Sequence, residues 1–218
     1  MLASSSQTAK LVDLFLVEGV KQSFKKGEFI ISAGESPKNV FYIQKGLVKA
    51  YDITKYQEEN LLIIRKENEI FPIIWALSGK ERHVIYQSLA DTITYRIDRQ
   101  KLLKLLESDP EIFAPVLDIT IEMYRLHSER ILNLEYRTVR ERIISFLLTM
   151  SKRYSTKQLP EGLLIEVPLR HQDIASSINS SRETTSREMS GLERKGLISK
   201  YQSMIILKDI EKLKKIIN

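Results

Sequence analysis

What most constrains this chain is a change of hydrophobic period close to residue 100. From Phe24 to about Arg99, six short β-rich runs alternate with turn signals: Glu28–Ile31, Val40–Ile43, Leu47–Ile53, Leu61–Arg65, Ile85–Leu89 and Thr92–Ile97. The turns are marked by Lys26-Gly27, Ala33-Gly34-Glu35, Lys45-Gly46 and Ser78-Gly79. Strands at this spacing predict a compact antiparallel barrel or roll, with Phe41 and Ile43 on one face of a strand and Tyr42 and Gln44 on the other. From Asp109 to Arg137 the pattern is helical. It opens with Asp109-Pro110, an acidic cap before a proline at a first helical position. Leu117, Ile121, Tyr124, Ser128 and Ile131 then recur at spacings of 4, 3, 4 and 3, a heptad-like seam. Such a seam fits an amphipathic helix packed on its own barrel or a two-stranded dimer coil. Thr138-Val139-Arg140-Glu141 reads as a capping box that starts a new helix, Val139 to about Tyr154.

Charge changes at the same place. Residues 1–137 hold 19 Lys/Arg and 19 Asp/Glu, whereas residues 138–218 hold 15 and 9, so the whole excess of +6 lies in the last part. A domain boundary at Thr138 follows. A basic module beside a neutral one favours a polyanion as partner, most often nucleic acid; ribosome-like tails and membrane-surface segments share the signature.

Several classes are excluded by what the chain lacks. With 43% hydrophobic and 28% charged residues it can bury a real core. Absence of cysteine removes disulfides, thiolate metal sites, iron–sulfur clusters and thiol nucleophiles. His83, His127 and His171 are scattered without metal-ligand spacing, and nothing marks a second axial partner for haem, so neither metal nor haem is expected. No G-x-S-x-G, P-loop, G-x-G-x-x-G or H-E-x-x-H occurs, and the carboxylates are interspersed with Lys and Arg, which argues against an enzyme. The longest apolar run, Phe71 to Leu77, falls far short of the ~20 residues of a membrane-spanning helix. The start, MLASSSQTAKLVDLF, lacks the basic and apolar regions of a signal peptide. A soluble, cytoplasmic protein is expected, with no membrane partner.

The segment 169–207 carries the chemistry. Arg170 to Ser177 reads as a short helix with Ile174 and Ala175 inward, and Ile178-Asn179-Ser180 as a turn. A second helix follows, capped by Ser180 with Glu183 in capping-box spacing, or by Ser181. On it Thr185, Met189 and Leu192 share one face, and Arg182, Glu183, Ser186 and Arg187 the other. Two short helices joined by a tight turn form a helix-turn-helix, whose second helix presents its N-terminal residues to base edges in the major groove. Arginine there can bind guanine O6 and N7 bidentately, and a carboxylate can accept from cytosine N4. Gly196 ends the helix, and Leu197–Lys200 and Met204–Leu207, separated by Tyr201-Gln202-Ser203, form a hairpin wing. Lys200, Lys195 and Arg194 are phosphate candidates, as are His171, Ser181 and Thr184.

These residues resemble the Crp/Fnr family of bacterial transcription regulators. The run Ser181 to Arg187 is similar to the family's recognition helix, Asn133-Leu134 and Arg142-Ile143 to its hinge, and Lys26-Gly27-Glu28, Gly34 and Gly46 to turns of its β-roll. The resemblance implies an α+β fold: an N-terminal antiparallel, jelly-roll-like β-roll sensing domain (residues 1–108), a long dimerisation helix and hinge (109–137) and a C-terminal winged helix-turn-helix (138–218). It implies a homodimer on an inverted-repeat operator, and RNA polymerase as a partner if the protein activates. It assigns base reading to Arg182, Glu183, Ser186 and Arg187, and dimerisation to the seam Leu117, Ile121, Tyr124, Ser128 and Ile131. Members with Arg-Glu at the first two positions tend to read TGTGA-like half-sites, and those with Glu-x-x-Ser-Arg TTGAT-like ones; this sequence satisfies both spellings.

One end departs from the family pattern. Cyclic-nucleotide-binding members carry a Gly-Glu pair and, about ten residues on, Arg-Ser or Arg-Ala. Here Phe71-Pro72 and Arg82-His83 stand in those places. Proline has no amide donor, phenylalanine blocks backbone approach, and no carboxylate remains for a ribose. Binding of cyclic AMP is therefore not expected. Phe71, Trp75, Arg82, His83, Tyr124, His127 and Ser128 either line an apolar pocket for another small effector or belong to a filled core. The competing functional class, a ligand or protein interaction module without DNA binding, leaves the confinement of charge to residues 138–218 unexplained.

Overall fold

The computed structural model describes residues 2–217. The chain divides into two compact units, Met1–Asp52 with Leu62–Leu126, and Ile53–Leu61 with His127–Asn218.

The first unit begins with α1 (Ser5–Glu18), capped by Ser4, whose hydroxyl accepts from the Gln7 N–H while the Gln7 side chain accepts from the Ser4 N–H. Then follow β1 (Val20–Phe24), β2 (Phe29–Ile31), β3 (Asn39–Lys45), β4 (Val48–Ile53), β5 (Glu59–Arg65), β6 (Ile70–Phe71), α2 (Ile73–Ser78), β7 (Ile85–Ser88), β8 (Thr92–Asp98) and α3 (Arg99–Ser108). All six expected runs are strands, and β1 and β6 join them in two four-stranded sheets, ordered β1-β8-β3-β6 and β2-β7-β4-β5. The pairings are antiparallel, as in Phe41 opposite Phe71 and Ala50 opposite Tyr86. Gly46, at φ +105, makes the β3–β4 turn, and a Cβ there would meet the Thr92 hydroxyl at 2.6 Å, so only glycine fits.

The expected alternation along β3 is present, but both faces are buried from Val40 to Ile43, and only at Gln44 does the strand become exposed. Phe41 and Ile43 pack with Ile31, Val48, Ala50, Phe71 and Tyr86. Val40 and Tyr42 pack against Leu11, Phe15 and Leu102 of the helices. Period 2 here separates two cores rather than core from solvent, because the chain adds helices over the outer face.

Asp109-Pro110 opens a 3₁₀ turn, Pro110–Ile112, with the Asp109 carboxylate accepting from the Glu111 N–H; the α-helix proper, α4, is Phe113–Tyr136. Its apolar residues form two faces. Val116, Ile119 and Met123 pack on the unit's own core. The seam faces outward at Ile121, Tyr124 and Ile131, which are 47%, 75% and 61% exposed, with Leu117 and Ser128 half-buried.

In the second unit α5 (Val139–Tyr154) starts where the capping box places it. The Thr138 hydroxyl accepts from the Glu141 N–H, and the Glu141 carboxylate accepts from the Thr138 N–H at 2.8 Å, which holds that carboxyl below its ordinary pKa. After β9 (Lys157–Leu159) and β10 (Gly162–Ile165) come α6 (His171–Ser177), α7 (Arg182–Arg194), β11 (Ile198–Tyr201), β12 (Met204–Leu207) and α8 (Ile210–Ile217). The sheet order is β11-β12-β10-β9. Ile143, Ile144 and Leu147, Ile174 and Ala175, Met189 and Leu192, and Leu213 are buried from the four helices. Among the described residues no helix is long and apolar enough to cross a membrane.

Candidate nucleic-acid interface

Helix α6 begins one residue later than expected, with Arg170 as its N-cap. Asp173, 2% exposed, accepts from the Arg170 backbone N–H at 2.9 Å and from its guanidinium Nε and Nη2 at 3.0 and 2.9 Å. A carboxylate this deep is held by charge-assisted bonds, and it locks the start of the helix. The spacing Arg170…Asp173 was the only sign of it in the sequence. The turn runs through Asn179 in the left-handed region, φ +52, with the Ser180 N–H donating to the Ala175 carbonyl.

The cap of α7 is Ser181, and the capping box of Ser180 with Glu183 is not formed. The Ser181 hydroxyl accepts from the Thr184 N–H at 3.1 Å and lies 3.0 Å from the Thr184 hydroxyl. The turn is one residue longer than the box requires, which leaves Glu183 at the second helical position with an exposed side chain. Arg182 and Arg187 are also exposed, Ser186 half-buried, and Thr185, Met189 and Leu192 fully buried beneath them. Thus the four expected base readers share one surface of one helix, and the opposite face anchors it. Ser181 and Thr184 are engaged with each other at the helix N-terminus, where free N–H groups and the helix dipole favour a phosphate.

Helix α7 is fixed from outside by Arg140 of α5, whose Nε lies 2.7 Å from a Glu188 carboxylate oxygen. At the other end Gly196, φ +67, closes a Schellman-type stop: its N–H donates to the Glu193 carbonyl, and the Leu197 N–H to that of Leu192. The wing starts at Ile198, one residue later than expected, because Leu197 is spent on this stop. It turns at Gln202-Ser203, with Tyr201 opposite Met204. Lys200 sits on the wing within 3.4 Å of Glu193, so the expected phosphate contact is held by an intramolecular carboxylate in the free protein. Arg194 and Lys195 are exposed. Burial pushes the His171 imidazole pKa down, and the positive charges of Lys200 and Arg182 add to this against Glu193.

The residues considered for an effector pocket are placed differently. Phe71 is a core side chain, fully buried and stacked between Phe41 and Tyr86 at centroid distances of 5.3 and 4.7 Å. Trp75 of α2 is half-buried beneath the Arg99 guanidinium, 5.7 Å from its ring centroid. Arg82 and His83 are exposed between α2 and β7, and Tyr124 is exposed on α4. His127 lines a cleft of the second unit with Arg130, Gln172 and Asn179, and Ser128 is half-buried beside it in the chain. A group that composition could not single out is Arg65, buried at 2%, with Nη1 3.3 Å from Glu69 and Nη2 2.7 Å from the Met123 sulfur.

Comparison with known proteins agrees with this geometry at both ends of the chain. A model of the Crp-like helix-turn-helix domain matches residues 141–216, and one of the cyclic nucleotide-binding domain matches residues 21–109. The global nitrogen regulator of Synechococcus elongatus is 27% identical over 187 residues, covering 84% of this chain and 83% of its own. The cAMP-activated global transcriptional regulator CRP of Salmonella typhimurium is 24% identical over 208 residues, covering 95% and 98%. In fold, a mutant of CooA from Carboxydothermus hydrogenoformans matches with a TM-score of 0.78 at 22% identity, over 93% of this chain and 89% of that one. Roll, long helix and winged helix-turn-helix together define a DNA-binding transcription regulator rather than an enzyme. The chain belongs to the Crp/Fnr family of such regulators.

Proposed function

We propose that the protein is a homodimeric, cytoplasmic regulator that binds an inverted-repeat operator through α7 of each copy, about one helical turn of DNA apart. The observation that carries this is the divided face of α7: Arg182, Glu183 and Arg187 exposed at the N-terminal end, Thr185, Met189 and Leu192 buried opposite. Arg182 and Arg187 have the donors to read guanine, Glu183 the acceptor to read cytosine, and Ser186 can serve either partner. Free of a capping bond from Ser180, Glu183 is available for that role. His171, Ser181, Thr184 and Lys200 contact phosphates and fix the register. The outward seam of α4 supports pairing with a second copy, since large apolar side chains at heptad spacing gain most by mutual burial. RNA polymerase is a further partner if the regulator activates.

The effector, if one is used, is not cyclic AMP. Phe71 occupies the interior with its stacked ring, and Pro72, also buried, offers no amide donor. Isothermal titration with cyclic AMP is expected to give no binding at micromolar concentrations, in contrast to what the Salmonella relative's name states of that protein.

Mobility shift against a random DNA pool, at ~0.1 M salt and with sequencing of the bound fraction, tests the reading and yields the half-site. A symmetric, TGTGA-like or TTGAT-like repeat is expected. Binding of every fragment alike would refute it.

A further inference from the structure

Inside the first unit one guanidinium has donors that its partners do not match. Arg65, the last residue of β5, is 2% exposed. Its Nη1 donates to a Glu69 carboxylate oxygen at 3.3 Å and its Nη2 to the Met123 sulfur at 2.7 Å, while Nε has no hydrogen-bond partner. Nε–H and Nη2–H share one edge of the planar fork, the edge that grips a carboxylate through two parallel bonds. Two other arginines of this chain use it in that way. Arg125 holds Glu122 through Nε and Nη2 at 2.9 Å each, and Arg170 holds Asp173 at 3.0 and 2.9 Å. Among the described residues, the same two donors of Arg65 meet only a thioether, a weak acceptor.

A buried cationic donor without an acceptor is costly, because no water replaces the missing bond. The surroundings suit an acceptor brought in from outside. Met123 is unbranched with three rotatable bonds, so its sulfur can swing aside. Ile63, on the same face of β5 as Arg65, packs with Phe71 and Tyr86 and supplies an apolar wall. Burial pushes the Tyr86 hydroxyl pKa up, while the charges of Arg65 and Arg82 pull it down. Two guanidiniums therefore act on one buried phenol, which stays protonated and is itself a donor. Against them stands Glu69, on the other edge of the Arg65 fork.

We propose that the first unit binds a small carboxylic acid, whose carboxylate takes the Nε–Nη2 edge of Arg65 in place of the Met123 sulfur. The anchor lies on β5, outside the segments Phe71-Pro72 and Arg82-His83. The acid has a small body, because the Phe71 ring, stacked between Phe41 and Tyr86, already fills the interior beside it. A carboxylate on a protein partner is excluded, since a guanidinium this deep is out of reach of a surface side chain. Binding of the acid is independent of which operator α7 reads.

The test contains no DNA, so its failure and that of the operator reading are distinguishable. Full-length protein carrying ¹³C in its methionine methyl groups is titrated with acetate, propionate and benzoate, with the matching uncharged amides, and with inorganic phosphate. The chain has 5 methionines, and the Met123 signal is the one that Met123→Leu removes. At least one acid is expected to move the Met123 signal saturably and leave those of Met150 and Met189 in place, while its amide moves none. Arg65→Lys keeps the charge but gives up the fork, and should weaken that acid about 10-fold or more. Met123→Leu should keep its affinity within about 3-fold in isothermal titration. A Met123 signal unmoved by all three acids, an equal shift with the amide, a response to phosphate alone, or wild-type affinity in Arg65→Lys would overturn the proposal. If circular dichroism shows Arg65→Lys unfolded, the difference between acid and amide at Met123 of the wild type decides.

Discussion

Arg187 and Lys200 are both exposed cations of the basic module, and their surroundings give them different work. Arg187 stands exposed on α7 among the proposed base readers, so Arg187→Ala is expected to cost ~1–3 kcal/mol of specific binding and relax preference at one base pair. Lys200, on the wing beside Glu193, should contribute uniformly; Lys200→Ala is expected to weaken all sequences alike and to lower the salt dependence of binding. Salt titrations of both variants on matched and mismatched duplexes separate these roles. His171 adds a pH dependence. Its folded-state pKa lies below the ordinary 6.5, chiefly through burial and then through Lys200 and Arg182. The unfolded chain therefore takes up the proton first, so this group's share of stability is intact above 6.5 and is lost as pH falls through 6.5 toward the folded value. Denaturant unfolding at pH 8 and at pH 5.5 should show a larger acid loss for wild type than for His171→Gln; equal losses would remove His171 from the balance. The sequence displayed these side chains and their spacing. It could not display Glu193 beside Lys200, a contact made between a helix and the wing.

At the scale of elements, local rules succeeded where the signal lies within four residues and weakened where it depends on what covers a face. Thr138 and Glu141 form the box that their spacing announces, because both partners lie on one turn. Ser180 and Glu183 have the same spacing and do not, since the turn after α6 runs through Asn179 and delays the helix until Ser181. The two serines are readily distinguished: Ser181→Ala should destabilise by ~0.5–2 kcal/mol in chemical denaturation, while Ser180→Ala should be close to neutral. A reversed result would move the cap. The six strands were legible because β-rich runs and turn glycines alternate locally. β1 and β6 were not, since they become strands by pairing with β8 and β3. α1 begins with a polar turn and buries only Leu11 and Phe15, too few to set a period.

For the whole molecule, the decisive element is α4, whose apolar residues fall on two faces, one packed on the chain's own core and one exposed. Val116 and Met123 serve the chain's own core, while Ile121, Tyr124 and Ile131 are left exposed, as the proposed dimer requires. Ile121→Glu leaves the internal face untouched and is expected to shift the protein to monomer in analytical ultracentrifugation, with affinity for the repeat reduced to that for one half-site. A dimer that survives both Ile121→Glu and Ile131→Glu would place the interface elsewhere.

By itself the sequence determined the order of roll, long helix and basic winged module, and which charged side chains stand at the start of α7, because period, capping and charge are short-range properties written along the chain. Only the tertiary structure decided that Phe71 is fully buried between two stacked rings, that Val40 to Ile43 of β3 are buried on both faces, and that Arg142 bonds carbonyls at the ends of α4 and α6. Burial and long-range hydrogen bonds arise from segments far apart in sequence, and no spacing within one segment encodes what will be laid against it.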